Sequence, residues 1–217
     1  MFDIDIERIL LTLPGILVAL SFHEFAHGMT SYLLGDPTPK NQGRLTVNPL
    51  PHIDFLGFIL LMFAGFGWAK PVMVNPRYYK NPKRDEILVS AAGPVMNLVM
   101  SSVFAALLKL LLIAGENTAV NLELVSITAN IFIYAIHINI VLCIFNLLPI
   151  PPLDGFHILA NIIPPRRYKV LYFLQKYSTI ILLIMIITPV ISYIISPPVR
   201  LIYNTLMKLF GMPMFYI

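Results

Sequence analysis

Four long apolar stretches constrain the fold of this chain more than any other feature of its sequence. They cover about residues 9–34, 87–113, 124–149 and 171–195, and each can form a helix that crosses the ~30 Å hydrocarbon core of a bilayer. A spanning segment must satisfy its own backbone hydrogen bonds, which favours helices over open strands. Only 12% of the residues are charged, roughly half the share of a typical soluble domain. We therefore predict an all-α polytopic membrane protein with about 4–6 membrane segments.

The remaining sequence predicts one membrane-embedded domain, residues 1–217. Its core covers about residues 9–160, and the last span with a short amphipathic helix covers about 161–217. That helix, at 198–211, is expected to lie in the membrane interface. The start MFDIDIER is acidic rather than basic, and no small-residue cleavage site follows it, so no cleavable signal peptide is expected.

The chain between the first two spans is predicted to hold short β-strands. Residues 41–50 and 67–76 alternate in polarity and are expected to form two strands or a hairpin. Between them, the apolar run 55–66 is short for a span and contains Gly57 and Gly65, which favours a re-entrant segment. A short transmembrane helix is the alternative.

The first span contains a polar cluster that is unusual for a membrane helix, His23-Glu24-Phe25-Ala26-His27. Residues four apart lie on one face of a helix, so both imidazoles can reach one metal ion. Glu24 is turned by about 100° from His23, so its carboxylate can act on a metal-bound water. An ionisable side chain at mid-helix costs ~2.5–3.5 kcal/mol in a bilayer, which disfavours a chance cluster. The order of residues is that of the metalloprotease zinc motif.

A catalytic zinc ion needs a third protein ligand and one open position for water. The single cysteine, Cys143, lies inside an apolar stretch and does not fit this role. Asp154 is the best candidate, because it lies near the end of the proline-interrupted segment NLLPIPPLDG, residues 146–155, where unwound backbone can line a watery cavity. The alternative is an ordinary turn aspartate before Gly155, and spacing alone does not separate the two.

Basic residues predict the side of the membrane that each loop faces. They concentrate in segments 67–86 and 164–176, whereas the connection 114–123 has two glutamates and no Lys or Arg. The first two are therefore expected in the cytoplasm and the third outside. If 55–66 does not cross the membrane, the HEFAH motif and Asp154 then share the cytoplasmic end of the protein. Basic residues concentrated in loops beside spans do not indicate nucleic-acid binding.

The motif HEFAH, followed in a later span by NLLPIPPLDG, resembles the site-2 protease family, peptidase family M50. The segments GWAKPVMVNP, NPKRD and AAGPVMNL (residues 91–98) are similar to the compact prokaryotic branch of that family. The resemblance covers about residues 15–160. No regulatory PDZ or CBS module is evident beside it.

The resemblance implies an intramembrane metalloendopeptidase with one Zn²⁺ per chain. Its ligands would be His23, His27 and Asp154, and Glu24 would be the general base. The expected partners are transmembrane protein substrates and the lipid bilayer, without nucleic acid. The expected location is a prokaryotic cell (inner) membrane, with the active site toward the cytoplasm.

Further polar residues are weaker candidates. The resemblance places Asn97 beside the active site, for substrate binding or the oxyanion, and interhelical hydrogen bonding is the alternative. Asn146 either binds the extended substrate or satisfies backbone groups that the prolines free. His52 is a possible site-adjacent gate, an inhibitory ligand or an ordinary interfacial histidine. His137 and Asn139 are expected to line a polar seam between helices.

Two other functions remain open from the residues alone. Intramembrane His, Glu and Asp also form transit sites in divalent-metal transporters, and a catalytically silent relative would bind membrane proteins without cleaving them. The order His-Glu-x-x-His favours the enzyme over the transporter. A silent relative would lack Glu24 or a ligand, and neither is missing here.

Overall fold

Helices account for most of the protein. The computed structural model describes residues 5–64, 67–117 and 121–214. The helices are α1 (Ile6–Leu33), α2 (Thr38–Asn41), α3 (Phe55–Ala64), α4 (Pro82–Asn117), α5 (Leu122–Asn146), α6 (Asp154–Ile162), α7 (Tyr168–Ile187) and α8 (Val190–Leu209). Helices α1, α4, α5 and α7 are long and apolar enough to cross a membrane, which confirms the four predicted spans.

Local sequence signals set the ends of these helices. The Asp5 side chain caps α1 by accepting a hydrogen bond from the Arg8 N–H. The other end of α1 is followed by Gly35, whose φ of 106° is a conformation that glycine adopts readily. The fourth span ends at Ile187, earlier than the predicted 195, because Pro189 interrupts the helix and a new one begins after it.

Helices α1, α4 and α5 pack against each other and form the centre of the bundle. Gly15 allows a close approach of α1 and α5, since a Cβ at this position would lie 2.8 Å from the Ala135 Cα. Helix α7, in contrast, is almost entirely exposed. An exposed apolar helix of this length is suited to contact with lipid.

The amphipathic helix predicted at 198–211 is longer and better packed than expected. It is α8, and its apolar side faces the protein through Ile195, Val199, Tyr203 and Met207, spaced four residues apart. These side chains join a core cluster with residues of α4 and α5. The apolar face therefore packs on the bundle, and residues 215–217 of the predicted C-terminal part lie outside the described residues.

The predicted strands at 41–50 and 67–76 are wrong, since no described residue of these segments lies in a β-strand. The chain just after the first segment forms one antiparallel bridge with the second, Ile53 with Ala69, beside a hydrogen bond from the Lys70 N–H to the His52 carbonyl. Prolines explain the failure, because each removes a donor that a ladder needs. They are Pro49, Pro51, Pro71 and Pro76.

The segment between these residues leaves the bridge and returns to it, so it does not cross the bundle. Helix α3 has 10 residues, or ~15 Å, about half the thickness of a hydrocarbon core. Gly57 packs directly on the Trp68 carbonyl, which leaves no room for a side chain there. The structure thus favours the re-entrant alternative, although residues 65–66 of the run lie outside the described residues.

Candidate metal centre

The HEFAH motif lies in the C-terminal third of α1, where its polar side chains are buried. The relative exposures of His23, Glu24 and His27 are 6%, 8% and 9%. One turn of helix separates the two imidazoles, and their Nε2 atoms lie 3.0 Å apart. The helical spacing therefore brings both rings to one point, as predicted.

Asp154, more than 120 residues later in the sequence, lies beside the Nε2 atoms of both histidines. After α5 ends at Asn146, residues 147–153 turn the chain back, and Asp154 is the first residue of α6. Its Oδ2 lies 3.3 Å from His23 Nε2, and its Oδ1 lies 3.3 Å from His27 Nε2. The turn requires Gly155, where a Cβ would overlap the Leu147 carbonyl.

The Nδ1 atoms of both imidazoles lie within hydrogen-bond distance of oxygen acceptors. His23 Nδ1 lies 2.6 Å from Asn97 Oδ1, and His27 Nδ1 lies 2.7 Å from the Val89 carbonyl oxygen. Both oxygens only accept, so each ring donates its Nδ1–H. When both rings are neutral, their Nε2 atoms carry lone pairs that face each other and a carboxylate. Asp154 Oδ2 is also buried without a hydrogen-bond donor.

A zinc ion fits this cluster of acceptors. Ligands ~2.0–2.1 Å from a tetrahedral ion lie about 3.3 Å apart, close to the three separations found here. Two histidines and a carboxylate are a known catalytic donor set, and an Nδ1–H hydrogen bond to an oxygen is the usual support of a ligating imidazole. Among the described residues, His23, His27 and Asp154 form the one group with this geometry.

Helix α4 leaves space beside the imidazoles because it has glycine at position 93. A Cβ at Gly93 would overlap both rings, at His27 Nε2 and at His23 Cε1. Any larger residue here would displace the rings or occupy the position of an ion and its water. The absence of a side chain is therefore part of the site.

Glu24 lies next to His23 in sequence but outside the ligand group. Its Oε2 accepts a hydrogen bond of 2.7 Å from the backbone N–H of Val72, in the segment that follows the Ile53–Ala69 bridge. The contact connects the carboxylate to a segment far away in sequence. A buried carboxylate beside the metal ligands is suited to proton transfer.

Comparison with known proteins agrees with this geometry. The family model of peptidase family M50 matches residues 11–191, which is most of the chain. The chain belongs to peptidase family M50. YwhC of Bacillus subtilis, named as a zinc metalloprotease, is 39% identical over 90% of this chain and 89% of its own length.

More distant M50 relatives carry the same kind of name. Rip2 of Mycolicibacterium smegmatis, also named as a zinc metalloprotease, is 27% identical over 84% of this chain and 69% of its own length. Rip2 of Mycobacterium tuberculosis H37Rv is 28% identical over 84% and 68% of the two chains. No solved structure matches the chain.

In this M50 chain the contacts of Asn97 differ from those of an oxyanion donor. Asn97 is fully buried, and its Oδ1 accepts from His23. Its Nδ2 donates to the Ala19 carbonyl at 3.1 Å and to Asn139 Oδ1 at 3.0 Å. Both amide hydrogens therefore have protein acceptors, and a substrate oxygen would have to displace one of them.

The other candidates lie around the M50 site rather than in it. Asn146 ends α5 and donates to the Leu142 carbonyl within its own helix. His52 is buried outside the ligand group, with Nε2 2.8 Å from the Thr46 carbonyl. His137 contacts the Tyr203 ring, and His157 pairs with Glu86 at 3.4 Å.

The backbone groups that support the site could not be predicted from the sequence. The Val89 carbonyl and the Val72 N–H are backbone groups, which almost every residue has, so the sequence does not reveal their role. Gly93 did leave a signal, because a glycine-proline pair within a span indicates close packing. The structure shows that the His23 and His27 rings pack against this glycine.

Proposed function

We propose that this chain is an intramembrane zinc metalloendopeptidase. It hydrolyses peptide bonds within or near transmembrane segments of membrane protein substrates, as in regulated intramembrane proteolysis. The observation that carries the proposal is the convergence of His23, His27 and Asp154 on one cation position, beside Glu24 in a membrane-length helix. Membership of family M50 and the names of the relatives support hydrolysis over metal transport.

Each residue of the site has a distinct task in this reaction. A bound zinc ion would polarise the scissile carbonyl and lower the pKa of its water to about 7. Glu24 takes a proton from the attacking water and returns it to the leaving amine. Because the Val72 N–H binds Oε2, we assign the proton transfer to Oε1. His23, His27 and Asp154 would hold the ion.

The substrate must unwind before it is cleaved. A transmembrane helix holds its carbonyl groups in internal hydrogen bonds, which hides them from attack. The site is also buried, so the extended stretch has to enter between elements of the protein. A strand edge at 41–50 or 67–76 has no part in this proposal, because neither segment forms a strand.

We place the site toward the cytoplasm, from the positive-inside argument. Gln42, directly after α2, and Glu123, at the start of α5, are both exposed. Single cysteines at these positions, in a background with Cys143→Ala, should label from the cytoplasm and from outside respectively. Labelling of Gln42→Cys from outside would contradict the orientation.

The decisive experiment is Glu24→Gln in purified protein with a model transmembrane substrate. We expect zinc content to stay at about one ion per chain while cleavage falls at least ~100-fold, since a positioned base contributes roughly 10²–10⁴-fold. Glu7→Gln, an exposed carboxylate of the same helix, is the matched control and should cleave normally.

Two outcomes would overturn the proposal. A Glu24→Gln variant that cleaves at the parental rate would remove Glu24 from the mechanism. A parent that moves zinc into proteoliposomes but cleaves no substrate would favour the metal-transport alternative.

A further inference from the structure

A line of buried amides runs from α5 through α4 to a candidate metal ligand on α1. Asn139 and Asn97 are both fully buried. Asn97 Nδ2 donates to Asn139 Oδ1 at 3.0 Å, and His23 Nδ1 donates to Asn97 Oδ1 at 2.6 Å. Three helices thus meet in one chain of hydrogen bonds that ends at the metal position.

Every amide in this chain has one orientation that satisfies its neighbours. Asn139 Nδ2 donates to the Ala135 carbonyl at 2.8 Å, so Asn139 Oδ1 must face Asn97. Asn97 then presents its two N–H groups to Asn139 and to the Ala19 carbonyl, and its oxygen to His23. The backbone carbonyls at the ends can only accept, so they fix the direction of the whole chain.

The direction matters because it decides which nitrogen of His23 carries the proton. If the Asn97 amide were reversed, its NH₂ group would face His23 Nδ1, and the ring would have to place its proton on Nε2. That proton would lie between His27 and Asp154, where the cation binds. A reversed amide would therefore compete with the metal, whereas the observed one leaves a lone pair for it.

We propose that Asn139 is a positioning residue for the zinc site, which acts through Asn97 to hold His23 in its metal-binding tautomer and orientation. The inference rests on the proposed zinc centre, but not on peptide hydrolysis. Asn139 itself does not touch the ion, because Asn97 and the His23 ring lie between them.

Asn139→Leu removes the acceptor and leaves an Asn97 N–H unpaired. We expect zinc affinity, measured by chelator competition, to fall about 10-fold or more, which is typical for lost support of a ligand. The visible absorption of the cobalt-substituted protein should change as well, because the His23 ligand shifts. Asn139→Asp should restore both within about threefold, since a protonated carboxyl keeps the donor and the acceptor.

Ser101→Ala is the matched control. Ser101 is also buried on α4, but its hydroxyl donates to Leu98 of its own helix. This variant should keep parental zinc affinity and the parental cobalt spectrum, whatever its stability.

Unchanged zinc affinity and cobalt spectrum in Asn139→Leu would overturn the inference, as would an equal loss in Ser101→Ala. If Asn139→Leu does not fold, zinc affinity and the cobalt spectrum are measured on Asn139→Ala instead, with the same expected changes. Neither measurement needs a substrate, so a failure of the proposed peptidase activity would be recognised separately.

Discussion

Two aspartates in this protein have opposite surroundings: Asp36 is fully buried, and Asp154 is partly buried. Asp36, after the end of α1, is surrounded by donors: Ser31 Oγ–H and the Asn75 N–H bind its Oδ2, and the Thr38 N–H binds its Oδ1. Asp154 instead faces the Nε2 lone pairs of two imidazoles, and its Oδ2 has no hydrogen-bond donor.

The difference separates a structural carboxylate from a functional one. The donors around Asp36 satisfy its charge, so it connects the end of α1 to the segment before α4 without any ligand. The acceptors around Asp154 leave its charge unsatisfied, and burying such a group is costly unless a cation joins it. The residue type is the same at the two positions, but the groups that surround each carboxylate differ.

The largest expected effect is on zinc content. Asp154→Ala should reduce bound zinc from about one ion per chain to near zero after dialysis, because it removes one of three protein ligands. Asp36→Asn is the matched comparison and should keep its zinc. Metal analysis of the two purified variants checks this. Equal zinc content in the two variants would remove Asp154 from the ligand set.

A smaller effect is expected on stability, and it should depend on pH. Burial raises the pKa of Asp36, but the hydrogen bonds from Thr38, Asn75 and Ser31 outweigh burial and lower this pKa below 3.8. The ionised carboxylate therefore stabilises the fold above about pH 4, and this stabilisation is lost as the pH falls through the lower pKa of the folded state.

Asp36→Asn should accordingly lower the free energy of unfolding at pH 7 by about 1–3 kcal/mol, since Asn cannot accept all three bonds. Thermal unfolding of the two proteins in detergent, followed by circular dichroism, should show a difference in Tm that narrows below pH 4. A difference that stays constant from pH 7 to pH 3 would show that the charge of Asp36 contributes nothing.

The parts of the site that sequence predicted are those with a helical or compositional signal. His23 and His27 lie four residues apart in an apolar stretch, so their common face follows from helix geometry alone. The four spans follow from length and hydropathy. The tight turn before Asp154 follows from its prolines, which interrupt the chain between α5 and α6.

The parts that failed depend on contacts between distant segments. The alternation at 41–50 and 67–76 is typical of strands, but the prolines and the Arg44 guanidinium, which donates to the Pro51 and Lys70 carbonyls, replace most of the ladder. The contacts of Asn97 could not be predicted either, because the sequence does not show whether an asparagine in a span faces substrate or a histidine.

The helical membrane spans and the common helix face of His23 and His27 can be predicted from the sequence alone. These properties follow from local periodicity and from the cost of polar groups in lipid. Three features appear only in the folded protein: Asp154 lies beside His23 and His27, Gly93 leaves space for the two rings, and the Asn97 amide oxygen faces His23 Nδ1. Each of these is a contact between separate helices, and helix packing, not local propensity, sets such contacts.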